Sequence, residues 1–176
     1  MTTPTSYDSK TIFYHWISVL LILTLWILGQ NIDNFAKGDP RVIARSIHIT
    51  LGVLLSVVYV LRIKWKFTAA QKLPQATPGT AGKLAIGVHH LLYLILGLIL
   101  ILGIAAVWIR GDNIFNLFRV PAFPTTDKEL RETVTDIHGL LANALLVLAA
   151  GHALMAIWHQ VILKDGVLKR VWPSLK

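Results

Sequence analysis

VTDIHGLLANALLVLAAGHALMAIWHQVIL, residues 134–163, sets His138, His152 and His159 into an otherwise mostly apolar run. As a helix the run crosses the membrane, since roughly 20 mainly apolar residues span the hydrocarbon core. His138 and His152 are fourteen residues apart. At a rise of ~1.5 Å and a turn of roughly 100° per residue, that is about 21 Å along the helix and within about 40° of the same face. One face of one helix thus offers an imidazole to each half of a bilayer. An imidazole in hydrocarbon is costly unless something holds it, which makes both rings functional suspects.

Three further runs have spanning length: 12–32, 44–63 and 84–109. Hydrophobic residues make up 55% of the 176 residues and charged ones 15%, against roughly 25% charged in soluble domains. The chain therefore reads as an all-α integral membrane protein, a single domain over residues 1–176 folded as a bundle of four transmembrane helices. The first run continues as a full span with no cleavage site after a short apolar region, so it is expected to insert and remain. No cysteine occurs, which excludes disulfides, c-type haem attachment, iron–sulfur clusters and thiolate zinc. Metal ligation is left to histidine.

With four spans, the termini share a side with the loop between the second and third. That side carries Lys10, Arg62, Lys64, Lys66, Lys72, Lys83, Lys164, Lys169, Arg170 and Lys176, with only Asp8 and Asp165 as acids. Short loops rich in lysine and arginine stay cytoplasmic, so both termini are expected on the cytoplasmic side. The net charge of +8 belongs to that face. It sets topology and meets anionic membrane lipid; nucleic acid is not an expected partner. Gly38, Asp39 and Pro40 mark the first outer turn, Pro74, Pro78 and Gly79 the inner loop, and Pro121 and Pro124 the second outer loop. In that last loop Ile114, Phe115, Leu117 and Phe118 are expected to lie in the interface as a short amphipathic piece. No internal repeat is visible.

His15 stands about a turn inside the cytoplasmic end of the first span, and His48 about a turn inside the outer end of the second. Depth pairs His48 with His138 outside and His15 with His152 inside. Facing helices of a bundle are where such ligands are normally built, and two bis-histidine b-type haems fit the pattern. Methionine ligation is nearly excluded, Met155 being the one methionine beyond Met1. Gly52, Gly139 and Gly151 attend these histidines, either for helix packing or as slots for a flat macrocycle. His159, seven residues beyond His152 and on nearly the same face, matches the depth of His15 somewhat better, while sequence geometry prefers His152 only modestly, so the inner pairing stays open at this point. His89 and His90 point about 100° apart, so at most one faces the bundle. His89, His159 and Lys83 form a candidate cytoplasmic pocket for a polar head group.

The motifs "FYHW" (13–16), "RSIHITLG" (45–52), "HHLLYLILG" (89–97), "IHGLLAN" (137–143), "GH" (151–152) and "WHQVILKDGVLKR" (158–170) together resemble the bacterial cytochrome b561 family of four-helix di-haem proteins. The likeness is closest to members that act as superoxide oxidases, and "IRGDN" and "VPAFP" in the loops share it. The resemblance implies that His15 and His152 hold the inner haem and His48 and His138 the outer one. It implies a quinone role for His159 and a counterpart for His89, and gives none for His90. It implies that superoxide outside reduces the outer haem and leaves as dioxygen, the electron passing by the inner haem to ubiquinone. Chemistry of this kind belongs largely to the cofactor, while the protein supplies position and field.

Arg45, Arg41, Arg110 and Arg119 are candidates outside for haem propionates or for steering an anion. Arg45 is favoured because it lies three residues before His48, on its face. Inside, Lys83, Lys72 and Lys10 are available to propionates or quinone oxygens. An alternative keeps the haems but makes the chain an anchor subunit linking a periplasmic dehydrogenase or hydrogenase to quinone. That reading needs a protein electron donor docked on the loop from Arg110 to Asp136. A third, a transporter with histidine proton relays, requires a colourless protein.

Overall fold

The computed structural model describes residues 5–77, 79–123 and 127–172; Pro78, Pro124 and Lys176, named above, lie outside them. Four long helices dominate: α1 (Ser9–Asn31), α2 (Asp39–Thr68), α3 (Gly79–Arg110) and α4 (Lys128–Trp158). A single 3-10 turn (Ile32–Asn34) follows α1, and α4 runs on as a π-helical turn (His159–Leu163). All four are long and apolar enough to cross a membrane. The expected spans lie inside longer helices, because hydropathy does not count the polar end turns. At 30 residues, α2 extends ~45 Å at ~1.5 Å per residue, well beyond the apolar core that its residues 44–63 fill.

Local signals start and stop these helices. The Asp8 carboxylate accepts from Thr11 N at 3.0 Å and caps α1, and Asp127 accepts from Glu129 N and caps α4, each meeting an orphan N–H of the first turn. Pro40 stands in the first turn of α2 behind Gly38, whose φ of 95° turns the chain into the helix. Lys164, in the left-handed region at φ 53°, ends the π turn.

The bundle is two antiparallel hairpins, α1–α2 and α3–α4. Each is packed closely within itself, whereas α2 meets α3 less extensively and α1 touches α4 sparsely. Where the hairpins meet at mid-depth, Leu21 and Leu25, Leu55 and Val58, Leu96 and Ile99, and Leu145 make one buried layer. Leu145 is midway between His138 and His152, so this layer divides an outer histidine site from an inner one. Outside the bundle, Phe13, Leu20, Val60, Leu94, Ile101, Val147 and Leu154 are exposed, as the lipid-facing side of an all-round apolar helix requires.

At the loop end, the run expected to be an amphipathic piece takes the form of a two-stranded antiparallel hairpin, β1 (Asn113–Ile114) and β2 (Phe118–Arg119). Phe115 and Asn116 both have positive φ, at 51° and 57°, the backbone of a tight hairpin turn. Ser46, fully buried on α2, accepts from Phe115 N at 2.8 Å and ties the hairpin down. Ile114 is buried while Leu117 and Phe118 are exposed, so β1 packs its apolar residue inward while both residues of β2 face out.

At the terminal end, three chain segments are stitched together. Trp65 Nε1 and Gln71 N donate to Asp8, Tyr7 N donates to Arg170 O, Arg170 donates to Pro74 O, and Trp16 Nε1 donates to Val171 O. Partial burial works against ionisation of Asp8, but the hydrogen bonds from Thr11, Gln71 and Trp65 prevail and hold its pKa down to about 2. A depressed carboxylate stabilises the fold above its unfolded pKa near ~3.9, and the contribution is lost as pH falls through about 2. Asp8→Asn is therefore expected to lower stability at pH 7 by about 1 kcal/mol, the usual magnitude for a cap. The difference from wild type should vanish in acid, which thermal unfolding in detergent at several pH values checks.

Candidate functional site

At the loop end, His48 of α2 and His138 of α4 face each other across the seam between hairpins, ring centroids 6.3 Å apart and planes at 72°. His138 Nδ1 lies 3.0 Å from the Ile99 carbonyl. A carbonyl only accepts, so the proton is on Nδ1 and the Nε2 lone pair is left for a metal, the usual arrangement of a ligating histidine. His48 Nδ1 faces the Leu25 carbonyl at the matching position of α1 but is buried without a hydrogen bond of good geometry. Behind each ring is a glycine: a methyl on Gly29 would come 3.2 Å from His48 Cε1, and one on Gly103 the same distance from His138 Cε1. The two hairpins thus build their outer histidines alike, each ring backed by a carbonyl and, four residues later, a glycine. The tripeptide "ILG" at 27–29 and 101–103 is the trace of this in the sequence, weakened by its recurrence at 95–97.

Between the rings is a cavity of about 270 Å³, lined by His48, His138, Gly52, Gly139, Arg45 and Arg110 among others. A Cβ at Gly52, Gly139 or Gly151 would meet nothing within 4 Å, and Gly52 and Gly139 line this cavity. Two imidazoles bonded from opposite sides at ~2.0 Å to one metal have centroids about 6.3 Å apart, the separation found. No three histidine, aspartate or glutamate side chains converge on one ion among the described residues. A two-histidine site therefore suits an iron whose other ligands come from a macrocycle, and the residues fit haem.

Of the four outer arginines, the structure brings two to this cavity. Asp112, 5% exposed, accepts from Arg110 at 2.9 and 3.1 Å and lies 3.8 Å from Arg45. Its carboxylate balances one of these two cations, and Asp33, which also lines the cavity, is paired with Arg41, so the three arginines and two aspartates sum to one positive charge. Arg41 is instead engaged with Asp33 and the Phe35 carbonyl, and Arg119 is exposed on β2.

At the terminal end, His15, His89 and His152 gather at the inner side of the seam. The ring found against His152 is His89, with centroids 5.1 Å apart, while His15 Nδ1 is 3.4 Å from Arg62. Arg62 also stacks on Tyr93, 5.2 Å from its centroid, and Lys66 lies 4.5 Å from the same ring. The sequence reading used Arg62 and Lys66 only as topology charges. Among the inner lysines it favoured, Lys10 sits over Trp65, and Lys72 and Lys83 have no polar partner among the described residues. His159 Nδ1 is 2.5 Å from Asp165 in the turn that ends α4. Slight burial opposes ionisation of Asp165, but the bonds from His159 and Val167 N outweigh it and hold the carboxyl below its ordinary range. Of the pocket candidates, His89 thus lies against His152 and His159 against Asp165, and Lys83, His89 and His90 are all exposed.

A family model described as prokaryotic cytochrome b561 matches residues 6–174. The chain is 29% identical to a probable superoxide oxidase CybB of Yersinia pestis over 172 residues, 96% of each protein. It is 31% identical over 173 residues to cytochrome b561 homolog 1 of Escherichia coli (strain K12), with 96% of this chain and 98% of that protein covered. Cytochrome b562 of Cereibacter sphaeroides is 28% identical over 181 residues, 97% of this chain and 98% of that protein.

Proposed function

Because the chain belongs to the prokaryotic cytochrome b561 family, a family of haem-b electron-transfer proteins of the membrane, we propose that it oxidises superoxide at one face and reduces ubiquinone at the other. Two b-type haems serve this reaction, one held by His48 and His138 and one by His15 and His152. The observation that carries the reading is the outer pair, two imidazoles 6.3 Å apart across an open slot with one tautomer already set. The name of the Yersinia relative supports superoxide as the donor. Both termini are cytoplasmic and the β-hairpin end faces the periplasm of a bacterial inner membrane.

When bound, haem supplies one-electron chemistry at each end. Two superoxide anions give up one electron each and leave as dioxygen, and the quinone takes up two electrons and two protons. The positive mouth formed by Arg45 and Arg110 around Asp112 draws the anion to the outer site. The leucine and isoleucine layer at mid-depth keeps water and ions from following. On the inner side, Asp165 fixes the His159 ring through Nδ1 and leaves the Nε2 lone pair to take up a proton and pass it on. His89 and Lys83 are the further candidates for the quinone head group.

The experiment is spectral. Purified protein should show b-type haem that superoxide reduces and a ubiquinone analogue reoxidises, with a rate of reduction that falls as salt screens the arginines. Haem indifferent to superoxide would defeat the reading. It would favour a second one, an anchor subunit fed by a periplasmic dehydrogenase or hydrogenase, for which the exposed Phe115, Leu117 and Phe118 of the β-hairpin offer a docking surface.

A further inference from the structure

Arg62 lies almost two turns inside the terminal end of α2, which runs to Thr68, yet its guanidinium turns inward onto His15 and Tyr93. Lys66, one turn further, joins it over Tyr93, whose carbonyl is held by Tyr59 Oη at 3.0 Å. Neither cation has a carboxylate partner among the described residues. The loop end differs, since there Asp112 answers Arg45 and Arg110. A guanidinium at the edge of hydrocarbon without an anion is costly, and the contact it does make, at 3.4 Å to a neutral ring, is long.

That contact also constrains His15. Arginine has only donors, and a neutral imidazole has one acceptor nitrogen, so His15 Nδ1 carries the lone pair and Nε2 the proton. If Nε2 ligates iron, the proton must move to Nδ1, where it opposes the Arg62 N–H. If Nδ1 ligates, its lone pair is used. Either way Arg62 must release His15 when iron binds there. The outer ring faces no such conflict, because His138 already donates through Nδ1 to Ile99.

We propose that Arg62, with Lys66 beside it, is the carboxylate anchor of the inner haem, and that it exchanges His15 for a haem carboxylate as the site fills. The proposal rests on the inner-haem reading above. It gives the unpaired cations their anions and frees the ligand in the same movement, replacing a long arginine–imidazole contact by a charge-assisted pair. A cation held beside the haem edge favours the reduced form, so Arg62 also raises the potential of the inner haem over what its ligands alone would set.

Spectroelectrochemical titration of purified, haem-loaded wild type, Arg62→Gln and Arg62→Lys tests this, with the two midpoint potentials assigned by which one survives in His48→Ala. Arg62→Gln should lower the inner potential and leave the outer one in place, and Arg62→Lys should restore much of the difference. Unchanged potentials in Arg62→Gln would overturn the proposal, as would an equal shift of both, which marks a general disturbance of the bundle. If His15→Ala costs wild type no haem, the inner-haem reading itself fails, whatever Arg62 does.

Discussion

Purified His48→Ala and His138→Ala proteins should each hold one haem per chain where wild type holds two, and the haem that remains should be the same in both. The two rings face one another from different hairpins at the separation that a shared metal demands. Losing only a supporting hydrogen bond of a metal ligand typically costs ~10–100-fold in affinity, and losing the ligand itself costs more. Gly52→Leu should have the same effect while leaving both ligands in place. A Cβ there meets nothing within 4 Å and the position lines the cavity, so the bundle should fold with the slot filled. Pigment analysis with reduced-minus-oxidised spectra reads all three variants. Two haems retained in either histidine variant would break the outer pair, and two haems in Gly52→Leu would return that glycine to helix packing.

The parts of the molecule legible in the sequence are those set by local pattern. Span number follows from hydropathy, and the depth of each histidine follows from counting residues to the nearest polar turn. His48 and His138 were reachable this way because both stand within a turn or two of an unambiguous boundary. Arg62 was not, for the same reason in reverse. Hydropathy ends the second span at residue 63 and makes Arg62 a boundary charge, but the helix continues to Thr68 and turns it into the bundle. The His159–Asp165 contact needs a π turn and a left-handed Lys164, neither of which has a composition. Asp112 read only as one of the acids on the outer side. Its burial between Arg45 and Arg110 depends on how the chain leaves α3, where Gly111 takes φ 61° and the β-hairpin folds back, with Val120 N donating to Asp112 O. The close pairing of α1 with α2 and of α3 with α4 is likewise tertiary, and it decides where a flat group can enter.

That pairing underlies the second large effect, at the inner site. His89 is the ring packed on His152, but 5.1 Å between centroids is shorter than the about 6.3 Å that two imidazoles on one metal require. His89 and His152 also belong to one hairpin, and a macrocycle between them would have to split the closely packed α3 and α4. His15 comes from α1, across the seam where α1 and α4 touch sparsely, as His48 and His138 come from α2 and α4. His15→Ala and His152→Ala should therefore each reduce the pigment to the outer haem alone. His89→Ala should retain both haems and slow reoxidation by a ubiquinone analogue, because the ring borders the inner site without ligating in it. The opposite pattern, pigment lost with His89 and kept without His15, would make His89 and His152 the ligands and require the α3–α4 hairpin to open when haem binds.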